Sequence, residues 1–348
     1  MSKECRAMPI KVGLDARHAA RGLGIGVFVT ELASHLSRLG DIEVVLFGER
    51  WPYPVLDSAL GHRAARRLGV DVFHFTGNTG WVRPRPIPFV LTLHDLVFFD
   101  TGVRGRSVRQ LVGHRYERLN VRRAAAAAAA VAVPSEATSR AVRGVLAPRG
   151  DPVVIPNGVE SPVTPPVAPL RDGYVVAFGG RDPRKRVDLA LEGVLALGAD
   201  APRLKVLAGA GVPAGFEHRA AAAIESGRVE LLGHLPRGDM WRVLSGASAL
   251  VYPSIAEGFG MPVLEAMSVG VPVVTGLAPA TSELGGGAIL PIDRADPVRS
   301  IATALRRLRT EAGLAADLAA RGRSRAAEFS WSRTAERYAA LYREVAGA

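Results

Sequence analysis

Residues 252–272 have the sequence YPSIAEGFGMPVLEAMSVGVP, and this stretch decides how the rest of the chain is interpreted. The apolar run 249–252 is typical of a short buried strand. A glycine-containing loop follows, and Pro262 stands where the first turn of a helix is expected, a position that tolerates its missing N–H. In an open parallel α/β sheet, ligands bind beyond the carboxyl ends of the strands. The stretch therefore predicts a ligand-binding strand, loop and helix.

The polar and small residues of this stretch indicate what it binds. Backbone N–H groups of Gly258, Phe259 and Gly260, at the start of a helix, suit a diphosphate that approaches the backbone closely. Glu257 lies in the loop and Glu265 about one turn into the helix, too far apart to share one phosphate. We expect both carboxylates to accept hydrogen bonds from sugar hydroxyls. For Glu265, complementing the helix dipole is the alternative.

Short apolar or β-branched runs alternate with helical patterns along the whole chain, which is typical of parallel sheets covered by helices. Two such sets predict an α/β protein with two doubly wound domains. The proline-rich stretch that begins at residue 160 cannot be a helix or a central strand, and predicts a linker at 161–172. The domains are then 1–160 and 173–330. Strands are predicted at 10–14, 43–47, 72–75, 89–93, 130–133 and 153–155, and at 174–178, 204–208, 229–232, 249–252, 272–275 and 288–290.

The composition excludes several classes of protein. With 48% hydrophobic and 22% charged residues the 348-residue chain is globular, and no apolar run has the length of a membrane span. The polar start, without a signal core, favours the cytoplasm. Cys5 is the only cysteine, which excludes an internal disulfide and a cysteine-cluster metal site. Only four lysines occur, so Lys185 stands out.

The net charge of +11 is concentrated in the first half of the chain. It is densest in the arginine-rich residues 104–123, which start at Arg104, end at Arg123 and hold seven arginines with Glu117 as the one acid. Such a surface suits anionic lipid headgroups, a phosphorylated substrate or nucleic acid, and a solvated helix face is an equal alternative. Nucleic acid is disfavoured because no aromatic residues interleave and no recognised motif is present.

Residues 252–272 resemble the Glu-x7-Glu signature of retaining GT-B glycosyltransferases, specifically glycosyltransferase family 4, in the form PS-x-x-EGFG-x-P-x-x-EAM-x-x-G-x-P. The resemblance covers nearly the whole chain. It includes GGRDPRKR at 179–186, GLGIGVFV at 22–29, the HD-L element in TLHDL at 92–96 and IPNGV at 155–159. It implies a GT-B fold of two Rossmann-like domains facing across a cleft, with a final helix at 331–348 packing back on the first domain.

The resemblance also implies roles for residues of the second domain. Glu265 would bind the ribose hydroxyls of a nucleoside-diphosphate sugar, and Glu257 the hydroxyls of the sugar. Lys185, assisted by Arg181 or Arg184, would neutralise the leaving diphosphate. Gly258, Phe259 and Gly260 would contribute backbone contacts to the donor.

In the first domain the resemblance assigns the backbone of Gly24 and Gly26 to the donor diphosphate and acceptor. Phe28 stands where the family usually has tyrosine. His94 would donate a hydrogen bond to the transferred sugar, with Asp95 orienting its imidazole.

The implied activity is transfer of a hexose-type sugar to an acceptor hydroxyl with retention of configuration, in polysaccharide, glycolipid or glycoconjugate synthesis. No metal or other cofactor is expected, and the lack of an Asp-x-Asp motif agrees with this. The expected partners are the nucleotide sugar and a glycan or lipid-linked acceptor. Residues 104–123 are expected to contact an anionic membrane surface, which would place the protein at the inner face of the cell membrane. No nucleic acid is expected.

Two alternatives keep the same fold. A sugar-nucleotide epimerase would need an acid or base poised at the sugar, and the Glu257-to-Glu265 signature is not typical of that group. A non-catalytic nucleotide-sugar binding module is disfavoured because Glu257, Glu265, Lys185 and His94 occur together.

Overall fold

A computed structural model describes residues 8–19, 24–49, 52–83, 85–99, 108–160, 173–209 and 211–347. It divides into two compact units, the first formed by Met1–Gly158 with Ser330–Ala348 and the second by Val159–Phe329. The predicted linker at 161–172 lies outside the described residues. Among the residues described, no helix combines the length and apolarity needed to cross a bilayer.

The first unit is a six-stranded, all-parallel sheet in the order β2-β1-β3-β4-β5-β6. Its strands are β1 Ile10–Asp15, β2 Ile42–Phe47, β3 Val72–Phe75, β4 Phe89–Thr92, β5 Ala130–Val133 and β6 Val153–Val154. Its helices are α1 Ile25–Leu36, α2 Tyr53–Leu56, α3 Ala59–Arg67, α4 Val108–Ala127, α5 Glu136–Val145 and a C-terminal helix, Trp331–Gly347.

The second unit repeats this architecture with the order β12-β11-β10-β7-β8-β9. Its strands are β7 Tyr174–Phe178, β8 Arg203–Leu207, β9 Val229–Leu232, β10 Ala249–Val251, β11 Val273–Thr275 and β12 Ile289–Pro291. Its helices are α6 Val187–Leu195, α7 Phe216–Glu225, α8 Arg237–Ser245, α9 Met261–Ser268, α10 Pro279–Gly285, α11 Pro297–Thr310 and α12 Leu314–Ala326.

Every predicted strand is found within one residue of its expected bounds. The central strands β3, β4, β10 and β11 are recognisable because they are buried on both faces and therefore mostly apolar. In β7, Val175 and Ala177 enter one core of the second unit while Val176 enters the other, as the alternation of side chains along a strand requires. The α/β class with two doubly wound sheets is confirmed.

In both sheets the strand order reverses beside the first strand. β7 pairs with β8 on one side and with β10 on the other, where Val175 lies opposite Ala249. The loops that follow two such neighbouring strands start side by side at the same edge of the sheet and line a crevice there, because the chain then continues to opposite sides. The loops after β7 and β10, which hold Lys185 and Glu257, are therefore brought together.

The C-terminal helix packs on the sheet of the first unit, against α1, β1, β3 and β4. Its Tyr342 hydroxyl lies 2.6 Å from His74 Nδ1, and its Tyr338 hydroxyl lies 2.9 Å from Thr92 Oγ1. All four side chains are buried. Because buried polar groups need partners, these hydrogen bonds define the position of the helix on the sheet.

Candidate active site

The loop after β7 makes a tight turn that presents Lys185. Asp182 Oδ1 accepts a hydrogen bond from the Arg184 N–H at 3.0 Å and starts a 3₁₀ turn over Pro183–Lys185. Arg186 then has a left-handed backbone, with φ of 45°, and α6 begins directly after it. Among the described residues it is the one non-glycine residue in that conformation, which costs energy and is found at functional turns.

This loop is hydrogen-bonded to the loop after β10. The carbonyl of Arg184 accepts from the N–H of Ile255 at 3.0 Å and from Ser254 Oγ at 3.2 Å. The two signature segments, 179–186 and 252–260, therefore form one rigid surface.

Glu257 is held by three donors on a single oxygen. Its Oε1 lies 2.6 Å from Lys185 Nζ, from the Tyr252 hydroxyl and from Ser254 Oγ. Lys185 Nζ also donates to the Tyr252 hydroxyl. Glu257 Oε2 accepts no hydrogen bond from the described residues, and the Lys185 and Glu257 side chains keep 24% and 14% exposure. The carboxylate is thus oriented by one oxygen and available to a ligand through the other.

Tyr252, directly after β10, is the fourth residue of this cluster. It is fully buried, and burial followed by the Glu257 carboxylate raises the pKa of its phenol well above the usual value of 10.0. The phenol therefore stays protonated, donates to Glu257 and accepts from Lys185. The sequence interpretation overlooked Tyr252, because an apolar strand end predicts only packing for an aromatic residue.

Glu265, on α9, is 8% exposed, and its carboxylate has no hydrogen bond to any described residue. Burial raises its pKa to about 7, and the nearby charge of Arg237 opposes the shift. A buried carboxylate without a partner is costly. The arrangement calls for hydroxyl donors from a bound ligand.

The start of α9 has the features expected of an anion site. Gly260 has φ of 107°, and a Cβ there would lie 3.0 Å from Thr281 Cγ2, so glycine is required. The Phe259 ring is buried against Phe329, with centroids 5.9 Å apart, and belongs to the core. The N–H groups of Phe259 and Gly260 donate to no described acceptor. They offer backbone rather than side-chain contacts.

The two arginines of the 179–186 turn differ. The Arg184 guanidinium forms a two-pronged pair with Asp182, at 2.6 and 3.0 Å, and so braces the turn. Arg181 is exposed and forms no ion pair or hydrogen bond with the described residues. Arg181 is therefore open to a ligand while Arg184 is engaged.

In the first unit, His94 follows β4 and is half-buried. Its Nε2 lies 2.8 Å from the Thr76 carbonyl oxygen, and its ring meets the Phe28 ring edge-on at 4.8 Å. Burial lowers its pKa below 6.5, so the neutral ring donates Nε2–H to Thr76 and leaves Nδ1 as an acceptor. In this ring state Nδ1 accepts rather than donates, so the expected donation from His94 to a sugar stays a prediction that requires the protonated ring.

The expected role of Asp95 in orienting this imidazole is wrong. Its Oδ1 accepts from the Val97 N–H at 3.1 Å and begins a short turn, while the Thr76 carbonyl orients the imidazole of His94. A carboxylate next to a short turn satisfies a free N–H before it reaches the neighbouring ring.

The glycine loop before α1 is described only from Gly24 onward, since residues 20–23 lie outside the described part. Gly24 has φ of 56° and caps α1, and Gly26 is buried in its first turn. Phe28 is 2% exposed and contacts the rings of His94, Tyr338 and others. Its side chain packs in the core.

A buried charged network lies at the carboxyl end of β1. Arg17 binds both oxygens of Asp15, at 2.9 and 2.7 Å, and Asp57 Oδ1 at 3.1 Å. Tyr116 donates to Asp57 Oδ2 at 2.7 Å, and burial raises the pKa of Asp57 to about 6. Sequence reasoning missed this network, for which Asp-x-Arg at a strand end was the one available signal. Among the described residues, no three His, Cys, Asp or Glu side chains group as metal ligands.

Comparison with known proteins agrees with these observations. The family described as "Glycosyl transferases group 1" matches residues 173–311, and "Glycosyltransferase Family 4" matches residues 49–161. The O-antigen chain mannosyltransferase B of Escherichia coli is 32% identical over 164 residues, which are 46% of this chain and 42% of that protein. The match thus spans less than half the length of this relative.

Two further proteins match almost end to end. The alpha-maltose-1-phosphate synthase of Mycolicibacterium smegmatis is 29% identical over 380 aligned residues, 92% of this chain and 95% of that protein. The structure of sucrose-phosphate synthase from Thermosynechococcus elongatus superposes with a TM-score of 0.73 at 19% identity, over 96% of this chain and 98% of that one. With its two six-stranded parallel sheets of GT-B type, the chain belongs to glycosyltransferase family 4.

Proposed function

We propose that this glycosyltransferase moves a hexose-type sugar from a nucleoside-diphosphate donor to an acceptor hydroxyl, with retention of configuration and without a metal ion. The observation that carries the proposal is the Glu257 carboxylate paired with Lys185, together with the buried Glu265 carboxylate on α9. Glu257 is fixed through Oε1 with Oε2 open, and Glu265 is buried without a hydrogen bond. Both arrangements suit the recognition of sugar hydroxyls, which donate to carboxylates.

The donor nucleoside is assigned to Glu265. The two neighbouring hydroxyls of a ribose match the two oxygens of one carboxylate, and binding them would compensate the burial of the charge. The transferred sugar is assigned to Glu257 Oε2, whose position is set by Lys185, Tyr252 and Ser254.

The diphosphate is assigned to Lys185, Arg181 and the N–H groups of Phe259 and Gly260. Two cations and oriented amides stabilise the negative charge that develops on the leaving phosphate. This is the electrostatic work that a divalent cation does in other transferases. No cofactor besides the donor substrate is therefore proposed.

Retention follows from attack on the face that the leaving group vacates. The acceptor oxygen bonds to the anomeric carbon as the bond from that carbon to the phosphate oxygen breaks, and the acceptor proton passes to that phosphate oxygen. No enzymic nucleophile is required, and none is assigned. His94 is proposed to accept a hydrogen bond from a sugar hydroxyl at Nδ1.

The acceptor is proposed to be a glycan or a lipid-linked glycan. The E. coli relative, named an O-antigen chain mannosyltransferase, supports a hexose and a polysaccharide. An anionic membrane surface at the cytoplasmic side is proposed to meet residues 104–123, of which Arg115 and Arg123 are exposed. Loss of co-sedimentation with anionic vesicles on raising the salt concentration would support this contact, and no binding at low salt would remove it.

A panel of nucleotide sugars tests the donor proposal. We expect one donor to raise Tm and to turn over in the presence of acceptor lipids or glycans. Glu257→Ala should retain the thermal stabilisation and lose the turnover, and proton NMR of the product should show the donor's anomeric configuration. Turnover should persist in EDTA. No stabilisation by any donor, or an inverted product, would contradict the proposal.

A further inference from the structure

A second basic surface lies in the first unit, on α3 and on residues 81–83 and 85–87, which precede β4. Arg63, Arg66 and Arg67 are three and four residues apart on α3 and are therefore neighbours on the helix surface. Arg83 and Arg85 come from the second stretch. None of the five has an ion pair or hydrogen bond to the described residues, and neither stretch contains an acid.

The two stretches form a single surface because they pack on each other. The His62 ring, on α3, meets the Trp81 ring edge-on with centroids 5.0 Å apart. Ala65 and Trp81 enter the same hydrophobic core, and Trp81 Nε1 donates to the Leu56 carbonyl at 3.1 Å. The position of Trp81 relative to α3 is thus set by buried contacts.

Two buried polar atoms of these residues have no hydrogen-bond partner. His62 is 6% exposed, and its Nε2 is buried with no hydrogen-bond partner. Arg85 Nε is likewise buried and unpartnered. Burial, then Arg85 and Arg66, lower the pKa of His62, and no carboxylate opposes them. Buried polar atoms nearly always have partners, so two orphans beside clustered cations need an explanation.

Ordinary surface chemistry explains only part of the cluster. Arg66 and Arg67 stand in the last turn of α3, where cations complement the helix dipole. That does not account for the buried Nε of Arg85 or for the imidazole of His62. A bound anion with several acceptor oxygens would pair with the Arg85 guanidinium and the His62 ring and would neutralise the clustered charge.

We propose that His62, Arg66 and Arg85 form a binding site for a phosphate group, separate from the carboxylate pair of the second unit. The phosphate oxygens accept from the Arg85 and Arg66 guanidinium groups and from the protonated His62 ring. The source is a lipid headgroup or a soluble phosphate. Leu60 and Leu68, which flank the arginines and are 57% and 40% exposed, suit the edge of a lipid surface.

Titration of the full chain with inorganic phosphate, followed through the His62 ring signals by NMR, tests the site. We expect saturable shifts at His62 and a rise in its pKa, since a bound anion favours the imidazolium. Arg85→Gln should weaken phosphate binding about tenfold or more, which is the loss of one charge-assisted contact. The matched control is Arg219→Gln, which removes one exposed, unpaired arginine from α7.

Vesicle binding distinguishes the sources. If phosphatidic acid vesicles bind the chain, and Arg85→Gln or Leu60→Ser weakens this while Arg219→Gln does not, the site takes a lipid headgroup. If inorganic phosphate binds and vesicles do not, the site takes a soluble phosphate. Absence of saturable shifts at His62, or an equal loss in Arg85→Gln and Arg219→Gln with unchanged Tm values, would overturn the proposal.

Discussion

Lys185 Nζ lies 2.6 Å from Glu257 Oε1, although the two residues are 72 positions apart in the chain. Their loops leave the carboxyl ends of β7 and β10, which are hydrogen-bonded neighbours. The ion pair is partly exposed, so by itself it adds little to stability. Its importance lies in where it holds an open carboxylate oxygen and an ammonium group.

Tyr252→Phe should lower kcat without unfolding the protein. The change removes the hydroxyl that donates to Glu257 and accepts from Lys185 and keeps the ring. A hydrogen bond to a charged group is worth about 1.5–3 kcal/mol, so we expect a loss of about tenfold or more in kcat. Tyr174→Phe is the control, because its phenol donates to the Val243 carbonyl in the same unit. Equal kcat values for Tyr252→Phe and the wild type would show that the hydroxyl does not position the pair.

Glu265→Gln should stabilise the free protein at high pH and weaken donor binding. Because burial raises the folded-state pKa from 4.5 to about 7, the folded state holds a proton that the unfolded state has lost between these values, and stability falls as pH rises through them. The neutral amide avoids that cost. Tm of Glu265→Gln should exceed that of the wild type at about pH 8 and match it at about pH 4.

Glu265→Gln should weaken nucleotide binding, because an amide accepts fewer hydrogen bonds from a ribose than a carboxylate does. Calorimetry with nucleoside diphosphates measures this. Glu336 is exposed, so Glu336→Gln should change neither Tm nor nucleotide affinity. Unchanged nucleotide affinity in Glu265→Gln would show that this carboxylate does not bind the donor.

Arg181→Gln should reduce catalysis, whereas Arg184→Gln should reduce stability. Arg181 has no partner among the described residues, so its loss should reduce kcat/KM about tenfold or more with little change in Tm. Arg184 braces the turn through Asp182, so its loss should lower Tm. Thermal unfolding and donor kinetics of both variants provide the test. A large fall in Tm for Arg181→Gln would contradict the assignment.

His94 should remain neutral at pH 7, with the proton on Nε2. The lowered pKa and the 2.8 Å contact to the Thr76 carbonyl both require this. Nitrogen-15 shifts of the ring report the tautomer, and its pH titration should have a midpoint below 6.5. Activity should therefore not fall through protonation of His94 until the pH drops below that value. A midpoint above it would indicate an imidazolium that donates to the sugar.

Gly260→Ala should destabilise the second unit. The added Cβ meets Thr281 at 3.0 Å, and φ of 107° is strained for any L side chain. We expect a loss of about 1–3 kcal/mol in the free energy of unfolding. Gly238→Ala, on α8, meets no atom within 4 Å and should be neutral or stabilising. Similar Tm values for the two variants would show that the turn before α9 tolerates a side chain.

Much of the fold could be predicted from the sequence because burial on both faces makes the central strands locally apolar. The stretch at 72–75, for example, is fully buried and has the predicted bounds. The site could be predicted where glycine, proline and charge cluster at a strand end, as they do at 179–186 and 252–260. These are properties of a few consecutive residues, and they need no knowledge of what lies opposite.

Hydrogen-bond partners depend on what the fold brings opposite each side chain, and only the tertiary structure decided them. It placed Tyr252 under Lys185 and Glu257, left Glu265 without a partner, and turned His94 towards Thr76 instead of Asp95. The amino-acid sequence by itself determined the two parallel sheets and the strand ends that carry the chemistry. Distances between residues far apart in the chain decided the remaining details. They determine which oxygen of Glu257 is hydrogen-bonded, which arginine lacks a partner and which ring nitrogen of His94 can accept.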